Sequence, residues 1–114
     1  MSDPFSAQLS RWAVQREQRL QLNDDLEQPR QVDHAAVFRK KAAAAAVAAS
    51  FEAAGYVVSV RSGFLRTTVE ASRVETLTDE NVARFLREAV DIAEASGGEY
   101  DGFGGSIIQR DTAS

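Results

Sequence analysis

Tyr56-Val57-Val58-Ser59-Val60-Arg61-Ser62-Gly63-Phe64-Leu65-Arg66-Thr67-Thr68-Val69-Glu70-Ala71-Ser72 is the stretch on which the fold turns. Its first six residues have the β-branched content of a strand, and Ser62-Gly63 is a turn signal. Beyond the turn, Leu65, Thr67, Val69 and Ala71 alternate with Arg66, Thr68, Glu70 and Ser72, so the spacing predicts a β-hairpin with one polar face.

Working outward, a helix is predicted on each side. Upstream, Ala42 to Ala49 is rich in alanine, which loses no side-chain entropy on entering a helix, and Val47 with Phe51 forms an apolar pair one turn apart. Gly55 stops this helix, and Phe51 is a candidate core residue. Downstream, Thr78 can cap a helix whose first turn holds Asp79 and Glu80, where the macrodipole favours negative charge. Val82, Phe85, Leu86, Ala89, Ile92 and Ala93 supply its buried stripe, and Gly97-Gly98 ends it.

Two more strands are predicted beyond these helices. Val32 to Phe38 is short and apolar and runs into the basic triplet Arg39-Lys40-Lys41, while Tyr100 to Gln109 carries Ile107 and Ile108. A leading helix opens with Pro4 behind Ser2 or Asp3 as cap and places Phe5, Leu9, Trp12 and Ala13 on one side. It runs to about Leu22, where Asn23 tolerates the left-handed conformation that ends helices, and a connector spans 24–31.

The order is then helix, strand-helix-strand, strand-helix-strand. Right-handed crossovers make this an α+β, ferredoxin-like βαββαβ sandwich, one antiparallel sheet with two helices on one face, plus an N-terminal helix. The expected division is 1–30 for the helix and connector, 31–110 for the ferredoxin-like domain and 111–114 for a short tail.

Composition narrows the function. A chain of 114 residues with 44% hydrophobic and 26% charged residues is one ordinary globular domain. With no cysteine and one histidine, thiolate chemistry, disulfides and a multi-histidine zinc centre are excluded. No stretch has the length of a membrane span and the start lacks a basic-then-apolar leader, so a cytoplasmic protein with no membrane contact is expected. The net charge of −4 argues against direct binding of nucleic acid. Its distribution is uneven: residues 1–30 hold 4 basic and 5 acidic residues, 31–73 hold 6 and 3, and 74–114 hold 3 and 9. Such an acidic last third suits a basic partner, although a solvated helix face gives the same pattern.

Candidates for chemistry are few. His34 beside Asp33, together with Glu99 and Asp101, could act as acid and base if the fold brought them together, but nothing in their spacing fixes that geometry. The run Gly97-Gly98-Glu99-Tyr100-Asp101-Gly102-Phe103-Gly104-Gly105 holds most of the glycines. Phosphate-cradling loops follow a strand and open a helix, whereas this run leaves a helix and enters a strand, and its acids would repel phosphate. The glycines are expected to permit tight turns that leave Tyr100 and Phe103 projecting on either side. Those aromatics beside carboxylates suit a protein-binding patch or core packing equally. Stacking of RNA on the open sheet face is disfavoured, since the basic residues Arg39 to Lys41, Arg61 and Arg66 are interleaved only by Phe38 and Phe64.

Asn23-Asp24-Asp25-Leu26, Pro29-Arg30, Val32-Asp33-His34, Phe38, Ala54-Gly55-Tyr56 and Gly98-Glu99-Tyr100-Asp101-Gly102-Phe103-Gly104 resemble the regulator of ribonuclease E activity B family over about residues 15–109. The family pattern has Gly where Asn23 stands and Trp where Phe103 stands; both replacements keep the local requirement, a left-handed backbone and an aromatic face. The resemblance implies a small cytoplasmic bacterial regulator with a ferredoxin-like fold that binds ribonuclease E, or a related RNA-processing assembly, and inhibits RNA processing. It implies no catalysis and no cofactor. The expected protein-binding residues are His34, Glu99, Tyr100, Asp101 and Phe103, the acids supplying charge and the aromatics apolar anchors. Two rivals remain: a dimerising, small-molecule-sensing ferredoxin-like domain whose exposed sheet edges or open face pair between two copies, and a small enzyme using His34 with Glu99 or Asp101.

Overall fold

The computed structural model describes residues 3–110, so the tail at 111–114 and Ser2 as a cap lie outside the described residues. The elements run α1 (Pro4–Gln21), β1 (Arg30–Phe38), α2 (Lys41–Ala53), β2 (Val57–Ser62), β3 (Thr67–Glu75), α3 (Asp79–Ala95) and β4 (Glu99–Gly105). One sheet has the order β2-β3-β1-β4, and every neighbouring pair is antiparallel. This is the ferredoxin-like arrangement with an added N-terminal helix.

Each element follows from local chemistry. Asp3 caps α1 by accepting from the Ser6 amide, Pro4 occupies the first turn, and Asn23 takes a φ of 60° just past its end. Thr78 caps α3 through the Asn81 amide. In β1 the residues alternate strictly, with Arg30, Val32, His34, Ala36 and Phe38 turned towards the helices. The core beneath them is built from Phe51, Val47 and Ala44 of α2, Val69 and Ala71 of β3, and Val82, Phe85, Leu86, Ala89, Val90 and Ala93 of α3.

Three expectations need correction. Trp12 of α1 is buried, but Ala13 is exposed, and the buried places beside the tryptophan go to the polar Gln8 and Arg19. Leu65 belongs to the four-residue loop joining β2 to β3, closed by the Gly63 amide on the Arg66 carbonyl, and is 77% exposed. Ile107 and Ile108 lie beyond β4, which ends at Gly105 because the next carbonyl, that of Ser106, is taken by Arg30 rather than by a neighbouring strand.

The added helix closes one side of the sheet. Trp12 donates its indole N–H to Asp79 at the start of α3 and lies 5.9 Å from the Phe103 ring of β4, while Arg87 of α3 stacks over Phe5. Along the outer edge of β4, Arg11 donates to the Asp101 carbonyl at 3.1 Å and Arg19 to the Gly105 carbonyl at 3.0 Å. Arginines thus satisfy carbonyls that another strand would otherwise pair with.

Candidate functional site

The five residues singled out in the sequence come together where β1 meets β4, but they divide into a buried set and a surface set. His34 is 2% exposed and Tyr100 5%, and the two are hydrogen-bonded to each other, Nδ1 to the phenolic oxygen, at 2.7 Å. Neither projects as an anchor for a partner. Phe103 is partly buried against Phe85 and Trp12, with ring centres 5.0 and 5.9 Å away. Glu99 and Asp101 are exposed.

A β-bulge explains why the aromatics share a face. Ala36 pairs with Tyr100 and Ala35 with Gly102, leaving Asp101 as an extra residue in β4. In a regular strand, positions 100 and 103 point to opposite sides; the inserted residue resets the alternation and turns both inward. Gly102 absorbs the distortion at a φ of 144°, which side-chain-bearing residues rarely adopt. The sequence expectation of aromatics on either side is therefore overturned, and Asp101 is pushed out to solvent. The glycine at 98 has a different reason: a Cβ there would sit 2.0 Å from the Phe38 ring, so the ring packs directly on the backbone.

Inside, His34 is enclosed by the rings of Tyr56, Phe85, Tyr100 and Phe103, and its Nε2 has no hydrogen-bond partner among the described residues. Burial lowers its pKa from 6.5 to about 4 against the weaker opposing pull of Glu75, so at neutral pH the ring is uncharged. Burial also pushes the Tyr100 phenol upward. A neutral imidazole accepting at Nδ1 from Tyr100 carries its proton on Nε2. This ring touches neither Glu99 nor Asp101 by hydrogen bond, so the acid-base trio considered from the sequence is not assembled.

Two charged networks went unread in the sequence. Asp24 is fully buried and accepts from Arg19 at 2.9 Å, Arg30 at 2.7 Å and the Ile108 amide at 3.0 Å. Burial alone raises its carboxyl, but the bonds from Arg30, the Ile108 amide and Arg19 outweigh that and hold it below the usual carboxylate value. Together with the bridge between Asp24 and Gln109, this cluster fastens the connector to the end of the chain beyond β4. The motif Asn23-Asp24-Asp25-Leu26 with Pro29-Arg30 is thus a structural clamp, for which the sequence signal was the motif itself. The second network joins Tyr56, Glu88, Arg73, Glu75 and Arg84. Tyr56 donates to Glu88 at 2.7 Å, and Arg73 reaches Glu88 and Glu75 while stacking 4.0 Å over the tyrosine ring.

On the surface, acids collect where α3 passes into β4. Glu94 stands in the last turn of α3, which carries no basic residue, and Glu99 and Asp101 follow at the start of β4. None of the three is ion-paired among the described residues, in contrast to Asp79 with Arg16 and Asp91 with Arg87. The carbonyl end of a helix already bears partial negative charge, so folding gains nothing from acids placed there. Among the described residues no cluster of three or more His, Cys, Asp or Glu is placed to hold a metal ion, and no helix is long and apolar enough to cross a membrane.

Fold and site together define a ferredoxin-like α+β domain in which the polar residues of the β1–β4 region serve packing inside and charge outside. The family model described as Regulator of ribonuclease activity B matches residues 16–105, and the chain belongs to that family. A search of curated proteins finds no match. The match begins inside α1 and ends with β4, so it takes in the charged side chains of the clamp, the His34–Tyr100 pair and the bulge, while the clamp's Ile108 amide and Gln109 lie beyond it.

Proposed function

We propose that this protein binds ribonuclease E, or an RNA-processing assembly containing it, and modulates RNA cleavage without catalysing a reaction itself. The family supplies the class of target. The observation that carries the reading to a surface is the unpaired acidic group Glu94, Glu99 and Asp101 at the carbonyl end of α3, a concentration of negative potential suited to a basic segment of the partner. Glu99 and Asp101 meet the partner; His34, Tyr100 and Phe103 hold the bulged strand that presents them. A cytoplasmic location goes with such a target.

Calorimetric titration into ribonuclease E from the same organism, at low and physiological salt, tests this. Micromolar or tighter binding that weakens with salt is expected. The variant Glu99→Lys with Asp101→Lys, both exposed, is expected to lose affinity while keeping its melting temperature. No binding at either salt, or binding indifferent to the double reversal, rejects the reading.

The open edge of β2 favours dimerisation as a second reading. Val57 and Val60 there are 78% and 49% exposed, whereas the β4 edge is covered by α1. Light scattering showing a monomer at all concentrations would dismiss it.

A further inference from the structure

The strand order places the β2–β3 loop on one side of the end of β1 and the start of β4 on the other, and between them lies a groove of about 810 Å³. Val37, Phe38 and Ala43 give it an apolar lining, with the Phe38 ring packed directly on the Gly98 backbone. Arg39, Lys40 and Arg66 line one part of it, Glu99 and Asp101 another.

Seven other arginines are ion-paired, several of them buried, yet Arg39, Lys40 and Arg66 have no carboxylate within ion-pair distance among the described residues. Arg11, Lys41 and Arg110 also lack an ion pair among the described residues; what sets Arg39, Lys40 and Arg66 apart is that all three line one groove. Beside them the loop holds Phe64, 98% exposed, next to Leu65. Two adjacent large apolar side chains in solvent gain nothing on folding and much on being covered, and an exposed aromatic is a typical anchor at binding surfaces.

We propose that this groove binds an acidic, apolar-bearing segment of a partner protein, with Arg39, Lys40 and Arg66 meeting its carboxylates and Phe64 with Leu65 covering its apolar side chains. Charge complementarity selects the acidic segment. Glu99 and Asp101 confine the segment's carboxylates to the part of the groove lined by Arg39, Lys40 and Arg66; a nucleic acid, charged at every unit of its backbone, fits less well beside those two acids, and Phe64 alone gives little stacking surface. The groove shares Glu99 and Asp101 with the surface of the ribonuclease reading, but the inference rests on the cations of its other part and needs no ribonuclease for its test.

The probe is a fluorescein-labelled peptide of aspartate and glutamate interrupted by single leucines, with a lysine-for-acid version and a labelled oligouridine as comparisons. Fluorescence anisotropy is expected to show salt-sensitive binding of the acidic peptide, stronger than that of either comparison. Arg39→Glu with Arg66→Glu is expected to weaken it about tenfold, two exposed attractions having become repulsions. Phe64→Ser is expected to weaken it while leaving its salt dependence in place. All three positions are exposed, so the urea midpoint should be unchanged. The proposal is overturned if the acidic peptide does not bind, if the lysine peptide or the oligouridine binds as well or better, or if the charge reversals leave affinity unaltered.

Discussion

Acid stability should report directly on the enclosed His34. In the folded protein its pKa is lowered from 6.5 to about 4, first by burial, so between these values the unfolded chain binds a proton that the folded one refuses. A difference of about 2.5 units at about 1.4 kcal/mol each corresponds to ~3 kcal/mol. The sign follows: this contribution is complete above about pH 6.5 and is lost as the pH falls towards 4. Against a total stability of roughly 5–15 kcal/mol, that is a large share. Urea midpoints measured across this range should fall steadily below pH 6.5. Tyr100→Phe removes the only hydrogen-bond partner the ring has among the described residues and should cost about 1–3 kcal/mol. Adding His34→Phe removes the stranded polar atoms as well as the titration, so the double variant should be less destabilised than the two single losses summed, with a flat profile between pH 6.5 and 4.5. A wild-type midpoint that does not move in this window, or a double variant that retains the slope, would refute the account of an uncharged, enclosed imidazole.

Asp24→Ala should cost about 3–5 kcal/mol in a urea melt, as it leaves the buried guanidiniums of Arg19 and Arg30 without their shared carboxylate; a loss under about 1 kcal/mol would mean that the carbonyls they also contact suffice. Gly98→Ala drives a methyl group into the Phe38 ring and should lower stability by about 1–3 kcal/mol, and a thermal melt matching the wild type would show that the ring can step aside.

Periodicity carried most of the architecture. The alternation through Val69 and Ala71 and the helical stripe of Val82, Phe85, Leu86, Ala89 and Ala93 read out the buried faces of β3 and α3 because one face of each meets the core. What escaped were the places where charge is buried. Arg19 on the leading helix and Asp24 in the connector look like surface residues, and only a three-dimensional arrangement supplying each with partners makes their burial affordable. The bulge escaped for a related reason: an inserted residue leaves no mark in a two-residue pattern until the partner strand is known, and it moved Tyr100 from expected anchor to core. Glu99 and Asp101 were legible as an exposed acidic pair; that the groove beside them is also lined by unpaired cations depends on the strand order.

The docking of α1 also sets an order of events during synthesis. The helix leaves the ribosome before every other described element, yet its indole donates to Asp79, its tryptophan packs on Phe103, and its arginines bind carbonyls at 101 and 105. Until residues 99–108 have emerged, Trp12 lacks the Phe103 ring and the clamp at Asp24 lacks the Ile108 amide. Native closure of this domain is therefore a late step in its own synthesis, in which α1 waits for β4.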